Sequence, residues 1–305
     1  MPGCLAAAPI VAAALLAAPL LVAVLVASPA MAMLAPDASG AAAAVTSAGG
    51  ALRMNAWGGA LVDAKTGVLV WGSNVNVARP MGSITKVMTA LLVLRAGDLG
   101  REVKVTKGAI RYVGRRGASS AGLIAGDELT ARQLLYAMLL PSGCDAAYLL
   151  ASSYGPGRSA FVAKMNAAAR AMGLTSTHFS HYDGMPYPTE YSTYSSPADL
   201  IRLGEQAMRN PQFRSIVARR SYRVAADSLH HRYLWQTTNV LLGSYRGMLG
   251  IKTGNTDAAG NCFLFEAHRG RHTLIGIVLH VNPTRNGAAL FTAARHLLNW
   301  GFQSV

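Results

Sequence analysis

The stretch Met81-Gly82-Ser83-Ile84-Thr85-Lys86-Val87-Met88-Thr89 decides how the rest of the chain is read. It sets a serine and a lysine three residues apart where an apolar run begins. Ile84, Val87, Met88, Leu91, Leu92 and Leu94 recur at helical spacing, which predicts a helix over about 83–96. Positions i and i+3 share a helix face, so Ser83 Oγ and the Lys86 amine can meet within one turn. A hydroxyl becomes an effective nucleophile when a base takes its proton. A lysine serves as that base only when neutral, which burial and a neighbouring cation favour. The free N–H groups of a helix start add partial positive charge where an oxyanion would form. The alternative is a serine cap followed by a solvated lysine, and S-x-x-K alone does not separate the two.

Outward from this helix, residues 56–64 and 68–74 flank Lys65-Thr66-Gly67 as strand, tight turn and strand. Residues 100–126 are Gly- and Arg-rich with short strand-like pieces such as 102–105. Residues 129–140 form an apolar helical run stopped by Pro141, and Ser142-Gly143-Cys144-Asp145 leads into a second helix over about 146–153. Residues 158–172 are amphipathic and closed by Gly173; 178–196 form a loop rich in Tyr, Pro and Ser. Pro197, with Ser196 as cap, opens a helix to about residue 209. Residues 247–253 and 261–267 read as two strands about a turn, 271–281 as a third, and about 287–300 as a last helix. Strands at both ends and helices between them predict an α+β fold, a sheet built from both termini with a helical lobe inserted.

The chain has 305 residues and a formal net charge of +14. Residues 5–34 carry no charge and are long enough to cross a bilayer. Ala30-Met31-Ala32 is an A-x-A site, so residues 1–32 read as a secretory signal cleaved before Met33, or as an uncleaved N-terminal anchor. Residues 33–52 are an Ala/Ser/Gly linker, and 53–305 are the folded domain. Either way the folded part is exported. A basic excess suits nucleic acid, anionic lipid or an acidic polymer. No nucleic-acid motif is present, and Lys and Arg are spread along the chain. The densest cluster, Arg111, Arg115 and Arg116, reads as a solvated loop. His178, His181 and Asp183 match no standard zinc spacing.

Two further triplets follow Ser83: Ser142-Gly143-Cys144 and Lys252-Thr253-Gly254. S-x-x-K, an S-x-N-type triplet and K-T-G, in that order, resemble the signature of penicillin-binding proteins and class A β-lactamases. Lys65-Thr66-Gly67 is a second K-T-G, but it precedes the serine and its Gly is explained by a hairpin turn. Lys252 instead follows the strand-like Met248-Leu249-Gly250-Ile251. Gly173-Leu174-Thr175-Ser176-Thr177-His178-Phe179, Tyr191-Ser192-Thr193, Gly250-Ile251-Lys252-Thr253-Gly254, Asp257-Ala258-Ala259-Gly260 and Trp300-Gly301-Phe302 resemble the low-molecular-mass D-alanyl-D-alanine carboxypeptidases. The resemblance covers residues 56–302. It implies the serine β-lactamase/transpeptidase-like fold, an antiparallel sheet packed by helices with the site between sheet and helical lobe. It also implies peptidoglycan stem peptides as substrates, β-lactams as covalent ligands, no metal and no organic cofactor.

The resemblance implies roles residue by residue. Ser83 attacks the carbonyl of the penultimate D-Ala with Lys86 as base, and Ser142 relays a proton to the leaving amine. Lys252 supplies positive field, helps keep Lys86 neutral and orients Ser142. The backbone N–H groups of Ser83 and Asn255 form the oxyanion hole. Thr253, Gly254 and an arginine, Arg285, hold the substrate carboxylate; the alternative for Arg285 is a solvated loop cation. Cys144 stands where the family usually carries an Asn that holds substrate. A thiol is a weak donor and acceptor, so binding or turnover is reduced or the substrate differs. Two other readings stand beside this one. A β-lactamase of the same fold would need a deacylating glutamate, and no Glu-x-x-Leu-Asn segment is present. A non-catalytic envelope protein that binds cell-wall peptides or β-lactams would have Cys144 as its lesion. Carboxypeptidase, endopeptidase and transpeptidase activity stay open, as does the oligomeric state. Export also places Cys144 and Cys262 in an oxidising compartment. Centring the hairpin turn on Asp257 sets Cys262 opposite Lys252, on the face toward Cys144, so a disulfide is expected; two free thiols are the alternative.

Overall fold

The structure, a computed structural model, describes residues 52–281 and 287–305. The signal or anchor segment, the linker up to residue 51, and Arg285 lie outside the described residues. Among the described residues no helix is long and apolar enough to cross a membrane.

The folded part begins with the expected hairpin, β1 (Ala56–Asp63) and β2 (Leu69–Ser73). Asp63 holds its turn by accepting from the Lys65 and Thr66 N–H groups at 2.9 and 3.1 Å. A short β3 (Arg79–Pro80) then feeds a 3-10 turn, Gly82–Thr85, and α1 (Lys86–Ala96). The predicted single helix thus starts tighter than an α-helix, and Thr85 Oγ1 donates back to the Gly82 carbonyl at 2.8 Å. After β4 (Glu102–Lys104) the chain forms α2 (Lys107–Arg116), where a solvated loop was expected. Thr106 caps this helix by accepting from the Ala109 N–H, and Gly117 at φ +57° ends it. Gly108 and Gly114 within it lower helix propensity, and only Ala109 is fully buried, so its pattern is weak in the sequence. β5 (Glu128–Thr130) pairs with β4, and Thr130 and Gln133 form a capping box for α3 (Ala131–Leu139). α4 (Cys144–Tyr154) and α5 (Arg158–Ala171) complete this part of the lobe.

The Tyr- and Pro-rich segment ends in β6 (Tyr194–Ser195), paired with β3. α6 (Pro197–Arg209) starts at Pro197 with Ser196 accepting from the Asp199 N–H. A second capped proline start, Asn210-Pro211, opens the unpredicted α7 (Pro211–Val217). β7 (Ser221–Val224) and β8 (Tyr233–Gln236) form a small hairpin. The chain closes with β9 (Met248–Thr256), β10 (Gly260–Arg269), β11 (His272–Val281) and α8 (Ala288–Ser304).

The main sheet runs β2-β1-β11-β10-β9, all antiparallel, so strands from both ends of the folded part meet at the β1–β11 pair. Successive strand residues face opposite sides. Ala60, Cys262, Leu264, Ile275 and Ile277 therefore pack against the helical lobe. Leu61, Phe263, Phe265, Leu274 and Val278 pack on the other side with Leu290, Ala294, Leu297 and Leu298 of α8. Each such large side chain contributes roughly 1.5–3 kcal/mol on burial. β9 is left as an edge strand beside the Gly82–Thr85 turn. Only a glycine fits at 254, because a Cβ there would lie 2.6 Å from the Met81 carbonyl oxygen. That contact brings the second K-T-G against Ser83.

Candidate active site

Lys86 sits at the centre. Its Nζ donates to Ser83 Oγ at 2.7 Å, to the Asp183 carbonyl at 3.1 Å and to Cys144 Sγ at 3.2 Å. The lysine is fully buried and Ser83 is 9% exposed, at the floor of a cleft of about 740 Å³. Ser142, Thr253, Gly254 and Asn255 line the same cleft. A hydroxyl held 2.7 Å from an amine is placed for proton transfer.

Lys252 is also buried, and its Nζ donates to the Thr253 carbonyl at 2.9 Å rather than to Ser142. Burial, and then the nearby Lys86 charge, press its pKa well below the ordinary lysine value. Ser142 takes the left-handed conformation, φ +66°, which a side chain adopts only when its surroundings hold it there. Ser119 Oγ donates to the Ser142 carbonyl at 2.9 Å, and the Asp145 carboxylate ties down Ser120 Oγ at 2.6 Å and the Ala121 N–H at 3.0 Å. The hydroxyls of Thr253 and Thr238 meet at 2.6 Å. A Cβ on Gly254 would also lie 3.0 Å from the Ser83 nitrogen, so the β9 backbone and the Ser83 N–H border one space.

The sequence reading weighed Asp183 only as a metal ligand and did not find its place beside Lys86. Its carboxylate, 0% exposed, accepts from Tyr112 Oη at 2.7 Å and from the Met185 N–H at 3.0 Å, and pairs with His181 Nδ1 at 2.7 Å. Burial pushes its pKa up, but the His181 bond and charge, Lys86 and the Met185 N–H bring it down to about 2. This clamp fixes the carbonyl that Lys86 contacts. Gly184 continues it at φ +85°, with its Cβ position 1.9 Å from the Gly82 carbonyl oxygen. Of the neighbouring histidines, His181 pairs with Asp183 and His178 packs on the Tyr194 ring, 5.8 Å between centroids. Ser119 and Thr238 were also missed. Their only sequence signal is a hydroxyl in a loop, whereas Thr106 and Gly117, bracketing α2, could have located Tyr112.

The expected disulfide is absent, and Cys144 and Cys262 are both free and buried. The hairpin turn is centred one residue later than expected, which sets Cys262 opposite Gly254 and gives Leu264 the place opposite Lys252. Cys262 does face the helical lobe, but its thiol donates to the Ala259 carbonyl at 3.3 Å. Cys144 Sγ is taken up by Lys86. Burial raises the Cys144 pKa to about 11, against the lowering pull of Lys86, and the Cys262 pKa to about 12.

The sequence model of the D-alanyl-D-alanine carboxypeptidase family of serine peptidases matches residues 44–283. The chain belongs to that family. The D-alanyl-D-alanine carboxypeptidase of Streptomyces sp. strain K15 is 40% identical over 257 residues, covering 80% of this chain and 86% of that protein. The D-alanyl-D-alanine carboxypeptidase DacB2 of Mycobacterium tuberculosis is 35% identical over 242 residues, covering 79% and 80%. The crystal structure of the Streptomyces K15 DD-transpeptidase superposes with a TM-score of 0.78 at 38% identity, over 83% of this chain and 99% of that one. The fold is the serine β-lactamase/transpeptidase-like fold of this carboxypeptidase family. Its three motifs converge here on one cleft, and Lys65-Thr66-Gly67 takes no part: it lies in the β1–β2 turn.

Proposed function

We propose that this chain is a serine D-Ala-D-Ala carboxypeptidase that removes the terminal D-Ala from peptidoglycan stem pentapeptides through an acyl-enzyme on Ser83. The observation that carries the proposal is the buried 2.7 Å contact between Lys86 Nζ and Ser83 Oγ, beside the K-T-G strand. Lys86 takes the Ser83 proton as Oγ bonds to the carbonyl of the penultimate D-Ala. The oxyanion meets the N–H groups of Ser83 and Asn255. Ser142 passes a proton to the leaving amine as the C–N bond breaks. Thr253, steadied by Thr238, and Gly254 receive the terminal carboxylate, with Arg285 as an outer cation. Water then attacks the acyl ester and frees Ser83. Cys144, protonated at neutral pH, stands in the place of the usual amide but is buried against Lys86 rather than lining the cleft. β-Lactams enter the same acylation step. Residues 1–32, as signal or anchor, and the linker 33–52 place the domain outside the cytoplasmic membrane.

Incubation with a stem pentapeptide and an assay for free D-Ala tests this reading. D-Ala release is expected; intact protein that releases none contradicts it. A transfer reaction is the second reading, favoured by the 38% identical solved DD-transpeptidase. An added glycine-type amine that captures the acyl group in place of water would support it.

A further inference from the structure

The arginines grouped in the sequence as one solvated patch have different surroundings. Arg116, the last residue of α2, lines the catalytic cleft and also a second hollow of about 430 Å³ on the helical lobe. Tyr112, Tyr148, Tyr182 and Tyr187 wall that hollow, and Arg158 stands at its rim. The Arg158 guanidinium lies 4.0 Å over the Tyr148 ring, and that of Arg116 lies 5.4 Å over Tyr187. Arg116 donates to the Pro186 carbonyl at 3.4 Å, and neither arginine pairs with an acid among the described residues. The nearby Asp183 carboxylate forms no ion pair with either. It is fully buried and bonded to Tyr112, His181 and the Met185 N–H.

Two further features point to an anion. α5 opens at Gly157 with no side-chain cap, and its first residues, Arg158 and Ser159, border the hollow. An uncapped helix start presents free N–H groups and partial positive charge. The Tyr182 hydroxyl, on a side chain 1% exposed, has no hydrogen-bond partner, which native structures rarely leave so. Burial raises its pKa most, the Asp183 charge raises it further, and the Arg158 charge acts in the opposite sense.

We propose that this hollow is a carboxylate subsite for the upstream part of the peptide whose D-Ala-D-Ala end lies at Ser83. The proposal rests on the carboxypeptidase reading. Arg116 borders both spaces, so a chain leaving the cleft along this wall passes it. The planar Arg158 fork suits a carboxylate, and the tyrosine faces suit the methylenes beside it.

The test uses two synthetic peptides ending in D-Ala-D-Ala that differ only in an upstream glutamyl group, free carboxylate in one and carboxamide in the other. Titration of the Ser83→Ala protein reads binding without turnover. The carboxylate peptide is expected to bind about fivefold more tightly at low salt, with the difference shrinking as salt rises. Adding Arg158→Gln brings the two peptides to parity, while Arg170→Gln, at the far end of α5, keeps the preference. Equal affinities, no binding of either peptide, or a preference that survives Arg158→Gln overturns the subsite. D-Ala release by the unmodified protein reports separately on the carboxypeptidase reading. Preference without release keeps the subsite and removes that reading, and release without preference does the reverse.

Discussion

Lys86 is held by acceptors from three separate segments: Ser83 in its own turn, Cys144 at the start of α4, and the Asp183 carbonyl 97 residues away. The first contact was legible in the sequence, because spacing i to i+3 makes it almost without help from the rest of the fold. The third was not, because it runs through a backbone carbonyl that carries no residue signature. Lys86→Arg keeps a cation but cannot accept the proton, so penicillin acylation is expected to fall by at least about 10²-fold in a folded protein. Lys65→Ala, in the hairpin triplet, is expected to leave acylation at the wild-type rate; fluorescent-penicillin kinetics on both variants check this. Asp183→Asn loses part of its hold on Tyr112, His181 and the Met185 N–H, and should destabilise by roughly 1–3 kcal/mol while slowing acylation. The Asp183 carboxyl, at about 2 in the folded protein, lies below its unfolded value of roughly 3.9. Its contribution is therefore full above pH ~4 and is lost as pH falls toward 2. Denaturant unfolding of wild type and variant from pH 2 to 5 should show their stability gap closing with acid, and a constant gap would refute the clamp.

At the level of elements, β10 shows what patterning could and could not supply. Pairing Cys262 with Lys252 assigned it to the side of the helical lobe, where it lies, because the observed partner Gly254 is two residues on and shares that face. Its register depended on the turn, which is centred one residue later than Asp257 and pairs Gly260 with Thr256. The long amphipathic or apolar helices were legible, and α6 matches its expected bounds because Ser196 and Pro197 mark its start. α2 and α7 escaped because each buries few residues and depends on its caps, Thr106 and Asn210. β10 also carries Glu266 on the lobe side, 7% exposed, with its pKa raised to about 7 by burial and Glu205 against the lowering charge of Arg214. An acid raised above its unfolded value of roughly 4.3 keeps its proton longer in the folded state. Stability is thus expected to fall as pH rises from ~4 through 7, by on the order of 3 kcal/mol. Glu266→Gln should remove that slope and be more stable than wild type at pH 8; parallel pH profiles of melting temperature would contradict it.

Across the whole molecule, one sheet separates two cores, the larger under the helical lobe and the smaller under α8. This layering followed from strands lying at both ends of the folded part, while the cleft could be located only through the family resemblance, since its parts come from segments more than 150 residues apart. Both described cysteines are buried, with pKa values of about 11 and 12, so neither is poised to react in the folded protein. Alkylation of the denatured, unreduced mature protein should add two labels by mass, and none would show that Cys144 and Cys262 are bridged. The central claim is that the Ser83–Lys86 pair performs acylation at the contact of the Gly82–Thr85 turn with the K-T-G strand. Benzylpenicillin labelling followed by peptide mass spectrometry tests it most directly. One adduct is expected, on Ser83, and lost in a folded Ser83→Ala protein; equal labelling of that variant, or an adduct on another residue, would contradict it.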